Sequence, residues 1–209
     1  SGMGNVSTYA ALKAQALGAL VVGMSHSKGF VYDPKGLDIF LLLDMKKQGN
    51  AAKRYAQEHP HTIYGTNPQD LWKQKADIAF PCAIEHEIQL EDAEALVLNG
   101  VYLVAEGANM PCSLEAKEYF LKNRVLFAPG KAANAGGVAV SLLEMSQNAT
   151  RIPWEFTEVD DKLKSIMKEI FEKIYTAAKQ YHHEFDLVTA ANLVAFQRLV
   201  EALIAQGVV

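Results

Sequence analysis

Apolar residues fall at helical spacing over about residues 7–17, where Ala10, Ala11, Ala14 and Ala16 favour a helix that Gly18 stops. Ala19-Leu20-Val21-Val22-Gly23-Met24 follows as an unbroken apolar run, the pattern of a strand buried in a parallel sheet. Asp33-Pro34-Lys35-Gly36 reads as a turn. Residues 37–55 return to helical spacing, with a break near Gly49. Short strands are expected over residues 77–80, 102–106 and 125–129. Between them lie a helix over 90–98, with Glu91, Asp92 and Glu94 early in it, and one over 113–122 that Ser113 can cap. Beyond Gly137 only helical spacing remains, over residues 138–148, 157–181 and 189–205.

Helix and strand alternating as far as residue 129 predict an α/β fold. We expect a Rossmann-like, doubly wound, mostly parallel sheet followed by C-terminal helices. The expected organisation is a sheet-bearing region over 1–137 and a helical region over 138–209. A leading strand upstream of residue 1 is also expected. No internal repeat and no low-complexity segment interrupts the pattern.

Composition narrows this little. Of 209 residues half are hydrophobic, and 20 Lys and Arg against 24 Asp and Glu leave a net charge of −4. The basic residues are scattered, so neither a nucleic-acid nor a membrane surface is expected. No uninterrupted apolar run approaches the roughly 20 residues of a membrane span, and no signal peptide is visible. Cys82 and Cys112 form no CxxC pair. They read as reduced structural thiols in a cytoplasmic protein, with no disulfide framework and no metal site.

Gly2-x-Gly4-x-x-Ser7 matches a dinucleotide fingerprint with a small residue in its third place. Such a turn lets the backbone approach a pyrophosphate, and the helix after it offers free N–H groups and a positive dipole end. By itself the motif also fits an ordinary glycine turn. About 20 residues further on, where NAD-binding folds carry an acid for the ribose hydroxyls, the chain has Ser25-His26-Ser27-Lys28-Gly29. Two hydroxyls and a cation suit the 2′-phosphate of NADP, although His26 and Lys28 also read as a solvated turn.

Three later segments are more specific. They are Pro81-Cys82-Ala83, Ala105-Glu106-Gly107-Ala108-Asn109-Met110-Pro111, and the run from Phe127 through Asn134-Ala135-Gly136-Gly137-Val138-Ala139-Val140-Ser141 to Asn148. With the ending Ala205-Gln206-Gly207-Val208-Val209, they resemble the hexameric glutamate dehydrogenases of bacteria and lower eukaryotes across the whole chain. The resemblance implies reversible, NADP-dependent oxidative deamination of L-glutamate to 2-oxoglutarate and ammonia, with NAD possible. It implies a homohexamer whose C-terminal helices pack back toward an N-terminal domain.

The resemblance also implies coenzyme contacts from Gly2, Met3, Gly4, Asn5 and Val6, from Ser25, His26, Ser27 and Lys28, from Cys82, Ala83 and Ile84, and from Gly107, Asn109 and Asn134. Ser141 is implied to bond the substrate side-chain carboxylate, with Val138 lining the same pocket. Read without the family, Asn109 and Asn134 follow strands, where a short amide can serve a carboxamide or its own turn. The Gly136-Gly137 pair opens the helix that carries Ser141. The chain departs from the family after Ala83, where the usual Thr-Gln-Asn-Glu is Ile84-Glu85-His86-Glu87. That departure puts the family's Thr and Asn side-chain contacts there in question, while backbone contacts are expected to survive.

No segment matches the domain that carries the family's catalytic Lys and Asp, so no catalytic residue is assigned. The chain alone is expected to bind coenzyme without turning over glutamate. Related dehydrogenases of leucine, phenylalanine or valine are a second enzyme reading, and a non-catalytic nucleotide-binding or assembly module a third. His182-His183 reads as a solvated helix end before a metal pair. Lys131 has a structural reading at least as good as a catalytic one.

Overall fold

The computed structural model describes residues 1–47 and 49–207, so Val208 and Val209 of the C-terminal motif lie outside the described residues. By compactness the chain divides into residues 1–126 and 127–209.

In the first unit α1 (Asn5–Ala16) leads to β1 (Gly23–His26) and β2 (Gly29–Tyr32). Next come α2 (Ile39–Lys46), α3 (Ala51–Glu58) and β3 (Ile63–Gly65). A 3-10 turn (Pro68–Lys73) precedes β4 (Ile78–Ala79), α4 (Leu90–Leu98), β5 (Leu103–Ala105) and α5 (Leu114–Lys122). β4 and β5 pair in parallel, with Ile78 opposite Leu103 and Ala79 opposite Val104. β6 (Leu126–Ala128) extends that sheet, Leu126 N–H donating to Tyr102 O at 2.9 Å. The α/β class and the parallel sheet are thus as the pattern predicts.

The strand expected over 19–24 is displaced. β1 begins only at Gly23 and pairs antiparallel with β2, which pairs antiparallel with β3. The cause is local: His26 pairs with Gly29 across a two-residue turn, folding the chain into a hairpin. The Val21 and Val22 carbonyls instead accept from Leu37 and Asp33 N–H, and Leu20 is exposed. Two glycines let the three strands approach. A Cβ on Gly29 would stand 2.2 Å from Gly65 O, and one on Gly65 would stand 2.2 Å from the Phe30 ring.

The core against these strands holds Met24, Val31, Ile39, Leu42, Ala52 and Tyr55. Each fully buried large aliphatic side chain contributes roughly 1.5–3 kcal/mol. Helix starts follow their caps: Asp38 accepts from Leu41 N–H at 3.0 Å and Ser113 from Ala116 N–H at 3.2 Å. β1 and β4 are each an edge of their sheet. An apolar cavity of about 600 Å³ is lined by Ala10 and Ala14 of α1, Val22, Ile78, Leu96 and Tyr102.

The second unit is helical: α6 (Gly130–Ala133), α7 (Gly136–Thr150), α8 (Phe156–Gln180) and α9 (Leu187–Gln206). Ile174 and Ala178 of α8 pack on Leu187, Ala190 and Ala191 of α9, with Ala132 alongside. Small side chains there allow close approach of the two helices. Asp186 starts α9, accepting from Thr189 N–H at 2.9 Å. By length and composition α9 is long and apolar enough to cross a membrane, which corrects the expectation drawn from uninterrupted runs. Asn192, Gln197, Arg198 and Glu201 break the run but are too few to make the helix polar. One such helix is weak evidence for a span.

Candidate functional site

The opening turn is shaped by Gly2, whose φ of 80° suits glycine. Its N–H donates to Ser25 Oγ at 3.1 Å, which ties the turn to β1. A Cβ on Gly2 would stand 3.3 Å from Ala83 Cα and from Ser7 Oγ, so the turn also lies against the segment after β4. Ser7 is buried and donates to Gly4 O at 3.0 Å. Met3 turns its side chain into the core, which leaves its backbone for any ligand. Gly4, Asn5 and Val6 are exposed, and nothing lies within 4 Å of a Cβ built on Gly4. The first turn of α1 has no acidic residue and no side-chain cap. Its leading N–H groups and positive dipole end therefore face outward.

The ends of β4 and β5 close on this turn. Gly107 and Ala108 N–H both donate to Pro81 O at 3.0 Å. A Cβ on Gly107 would stand 2.5 Å from Cys82 Sγ and 3.2 Å from Val6 Cγ1. Glycine is required there so that Cys82 and α1 can meet. Ala83 N–H donates to Oε1 of buried Glu87 at 3.0 Å, which fixes the loop carrying exposed Ile84. His86, at φ 54°, donates its N–H to Met110 O at 3.0 Å. Buried Glu106 lies 3.4 Å from Lys117 Nζ and accepts from Cys112 N–H. These bonds hold the 107–111 loop, on which Asn109 is exposed. Burial pushes both thiols up; for Cys112 the Glu106 carboxylate adds to it.

The predicted residues thus separate. Gly2 to Val6, Ser25, Cys82, Ala83 and Gly107 come together at the carboxyl ends of β1, β4 and β5, the edge where open α/β sheets bind ligands. Ser25 is buried with its hydroxyl engaged by Gly2, so of the 25–28 segment Ser27 and Lys28 are the exposed members. Asn134, Val138 and Ser141 belong to the second unit. Val138 is exposed, and Ser141 Oγ donates to Gly137 O at 3.2 Å. Lys131 is held by Asn192 Oδ1. His182 and His183 lie exposed just past α8.

The family model for glutamate/leucine/phenylalanine/valine dehydrogenases matches residues 1–207. The chain belongs to this family. As a dehydrogenase-family chain it is 45% identical, over its full length, to the NAD-specific glutamate dehydrogenase of Porphyromonas gingivalis, covering 47% of that protein. It is 46% identical, again over its full length, to the NADP-specific glutamate dehydrogenase of a Psychrobacter species, covering 48%. The glutamate dehydrogenase structure of Plasmodium falciparum superposes at a TM-score of 0.89, with 38% identity, over 99% of this chain and 45% of that one. The chain therefore spans about half the length of the relatives it matches. Glu87 and Glu106 lie in segments quoted from the sequence, but neither was given a role there. A buried acid in a loop leaves no pattern of its own that reveals its anchoring role.

Proposed function

We propose that this chain is the coenzyme-binding part of a glutamate dehydrogenase, working with NADP and able to use NAD. The reaction is reversible oxidative deamination of L-glutamate to 2-oxoglutarate and ammonia. The observation that carries the reading is the convergence of the open α1 N-terminus with Ser25, Cys82, Ala83 and Gly107. Backbone N–H groups at an uncapped helix start suit a pyrophosphate, and Gly4, which has open space beside it, lets one approach. Asn5, Val6, Ala83, Ile84, Gly107 and Asn109 complete the contacts in this unit, with Ser27 and Lys28 toward the 2′-phosphate. The coenzyme supplies the hydride chemistry, and the protein binds and orients.

Ser141 and Val138 are assigned to the glutamate side chain. The glutamate specificity in the names of the relatives supports this over leucine, phenylalanine or valine. The functional boundary we assign follows Gly137, so that the helical region presents its apolar faces to a further domain. A soluble cytoplasmic homohexamer completes the proposal.

The test is calorimetric titration of the chain with NADPH and NADH, together with a glutamate oxidation assay. Saturable binding of both, tighter for NADPH, without turnover is expected. Failure to bind either nucleotide overturns the coenzyme assignment. Tighter NADH binding overturns the NADP preference, and turnover by the chain alone overturns the assignment of catalysis to another domain.

A further inference from the structure

Ser1 and Gly2 reach both sheets of the first unit. The Ser1 nitrogen donates to Phe80 O at 2.7 Å, and Ser1 Oγ accepts from Cys82 N–H at 2.9 Å. Gly2 N–H donates to Ser25 Oγ at 3.1 Å. Phe80 directly follows β4, and Ser25 is the third residue of β1. These two residues therefore lie between the carboxyl ends of β4 and β1. Any chain that enters Ser1 comes from between those strands.

Among the described residues β1 and β4 each border their sheet, and an edge strand offers backbone N–H and C=O groups to a further strand. The direction of that offer can be read for β1. Asp33 N–H donates to Val22 O, and Met24 stands opposite Val31. Ladder bonds alternate along an antiparallel pair, so the Gly23 and Ser25 backbones turn away from β2. The apolar cavity of about 600 Å³ is lined by Ser1, Met24, Ile78, Ala79, Ala14 and Leu96, among others. It thus borders both edge strands and the residue that enters from between them. Protein interiors are close-packed, with few voids larger than a water molecule.

We propose that this cavity seats one further strand, supplied by the residues immediately before Ser1 in the longer enzyme. The strand runs parallel to β1 and β4, because it meets Ser1 at the carboxyl ends of both. Flanking the four residues of β1 takes about four residues at about 3.3 Å each. They are apolar in succession, as in strands covered on both faces. The two three-stranded sheets become one of seven strands. The leading strand expected from the glycine fingerprint thereby gains a place, a direction and two partners. The inference rests on reading the chain as part of a longer glutamate dehydrogenase, which its coverage of about half of its relatives supports.

The experiment compares the 209-residue chain with the same chain extended by about ten of the residues that precede Ser1 in the longer enzyme. Amide hydrogen exchange is followed without nucleotide. The Gly23 and Ser25 amides should exchange at least about tenfold more slowly in the extended chain, measured against Met24, whose amide faces β2 in both. Ala14→Phe supplies a second readout, because the new ring enters the cavity. It should leave the melting temperature of the 209-residue chain level or higher, and lower that of the extended chain by several degrees. Equal exchange of Gly23 and Ser25 in the two chains overturns the proposed strand. So does an equal loss from Ala14→Phe in both. Neither readout involves a nucleotide, so failure of the coenzyme reading shows separately, in the titrations above.

Discussion

The two units differ in how many large apolar residues they enclose. In residues 1–126 a set of large side chains, among them Val31, Ile39, Ile88 and Phe120, is fully buried, although Leu17, Phe40 and Leu98 lie on the surface. In the helical unit the interior is a small seam of Ile174, Ala178, Leu187 and Ala190, while Leu142, Met145, Phe156, Phe196 and Ile204 remain exposed. The first unit therefore encloses more large side chains than the second.

The largest test of that difference pairs Phe120→Ala with Phe171→Ala. Phe120 is enclosed and Phe171 is more than half exposed. Chemical denaturation should show a loss of about 3–5 kcal/mol for the first and under about 1 kcal/mol for the second. Similar losses would break the comparison. Gly107→Ala comes next. The new methyl meets Cys82 Sγ, and about 1–3 kcal/mol of stability should be lost. Adding Cys82→Gly should restore part of it in the same melt, whereas no recovery would show that the contact is not limiting.

Asn5→Asp should weaken NADPH binding by about tenfold, because the added charge competes for the α1 N-terminus. Ser141→Ala, in the other unit, should leave that affinity unchanged. The smallest effect concerns pH. Burial lowers the His26 pKa, so the folded chain takes up this proton less readily than the unfolded one. The contribution is therefore present above about pH 6.5 and lost as pH falls below it. Between pH 7.5 and 5.5 the melting temperature of the wild type should drop further than that of His26→Phe, by about 1–3 °C. An identical slope would remove His26 from the balance.

Where a local rule settled an element, the sequence was readable. α4 and the Ser113-capped α5 lie where spacing and cap chemistry put them. The hairpin was missed because the apolar run at 19–22 outweighed the stronger signal after it: a two-residue turn, Gly29, then Phe30-Val31-Tyr32. β3 is three residues long and α6 four, too short to leave a period. At the candidate site the glycines were legible because backbone approach demands them. The engagement of Ser25 by Gly2, the core-facing side chain of Met3 and the anchoring by Glu87 were not, since each depends on a neighbour distant along the chain.

The abutting glycines of β2 and β3 reach further than packing. Gly29 closes the turn after Lys28 and lies against the Gly65 carbonyl, while the Phe30 ring covers Gly65. The pairing of β2 with β3 and the turn that carries Lys28 are therefore mechanically coupled. A side chain at Gly65, on the outer strand of that sheet, should push against the Phe30 ring and so shift the turn at Ser27 and Lys28 from a distance.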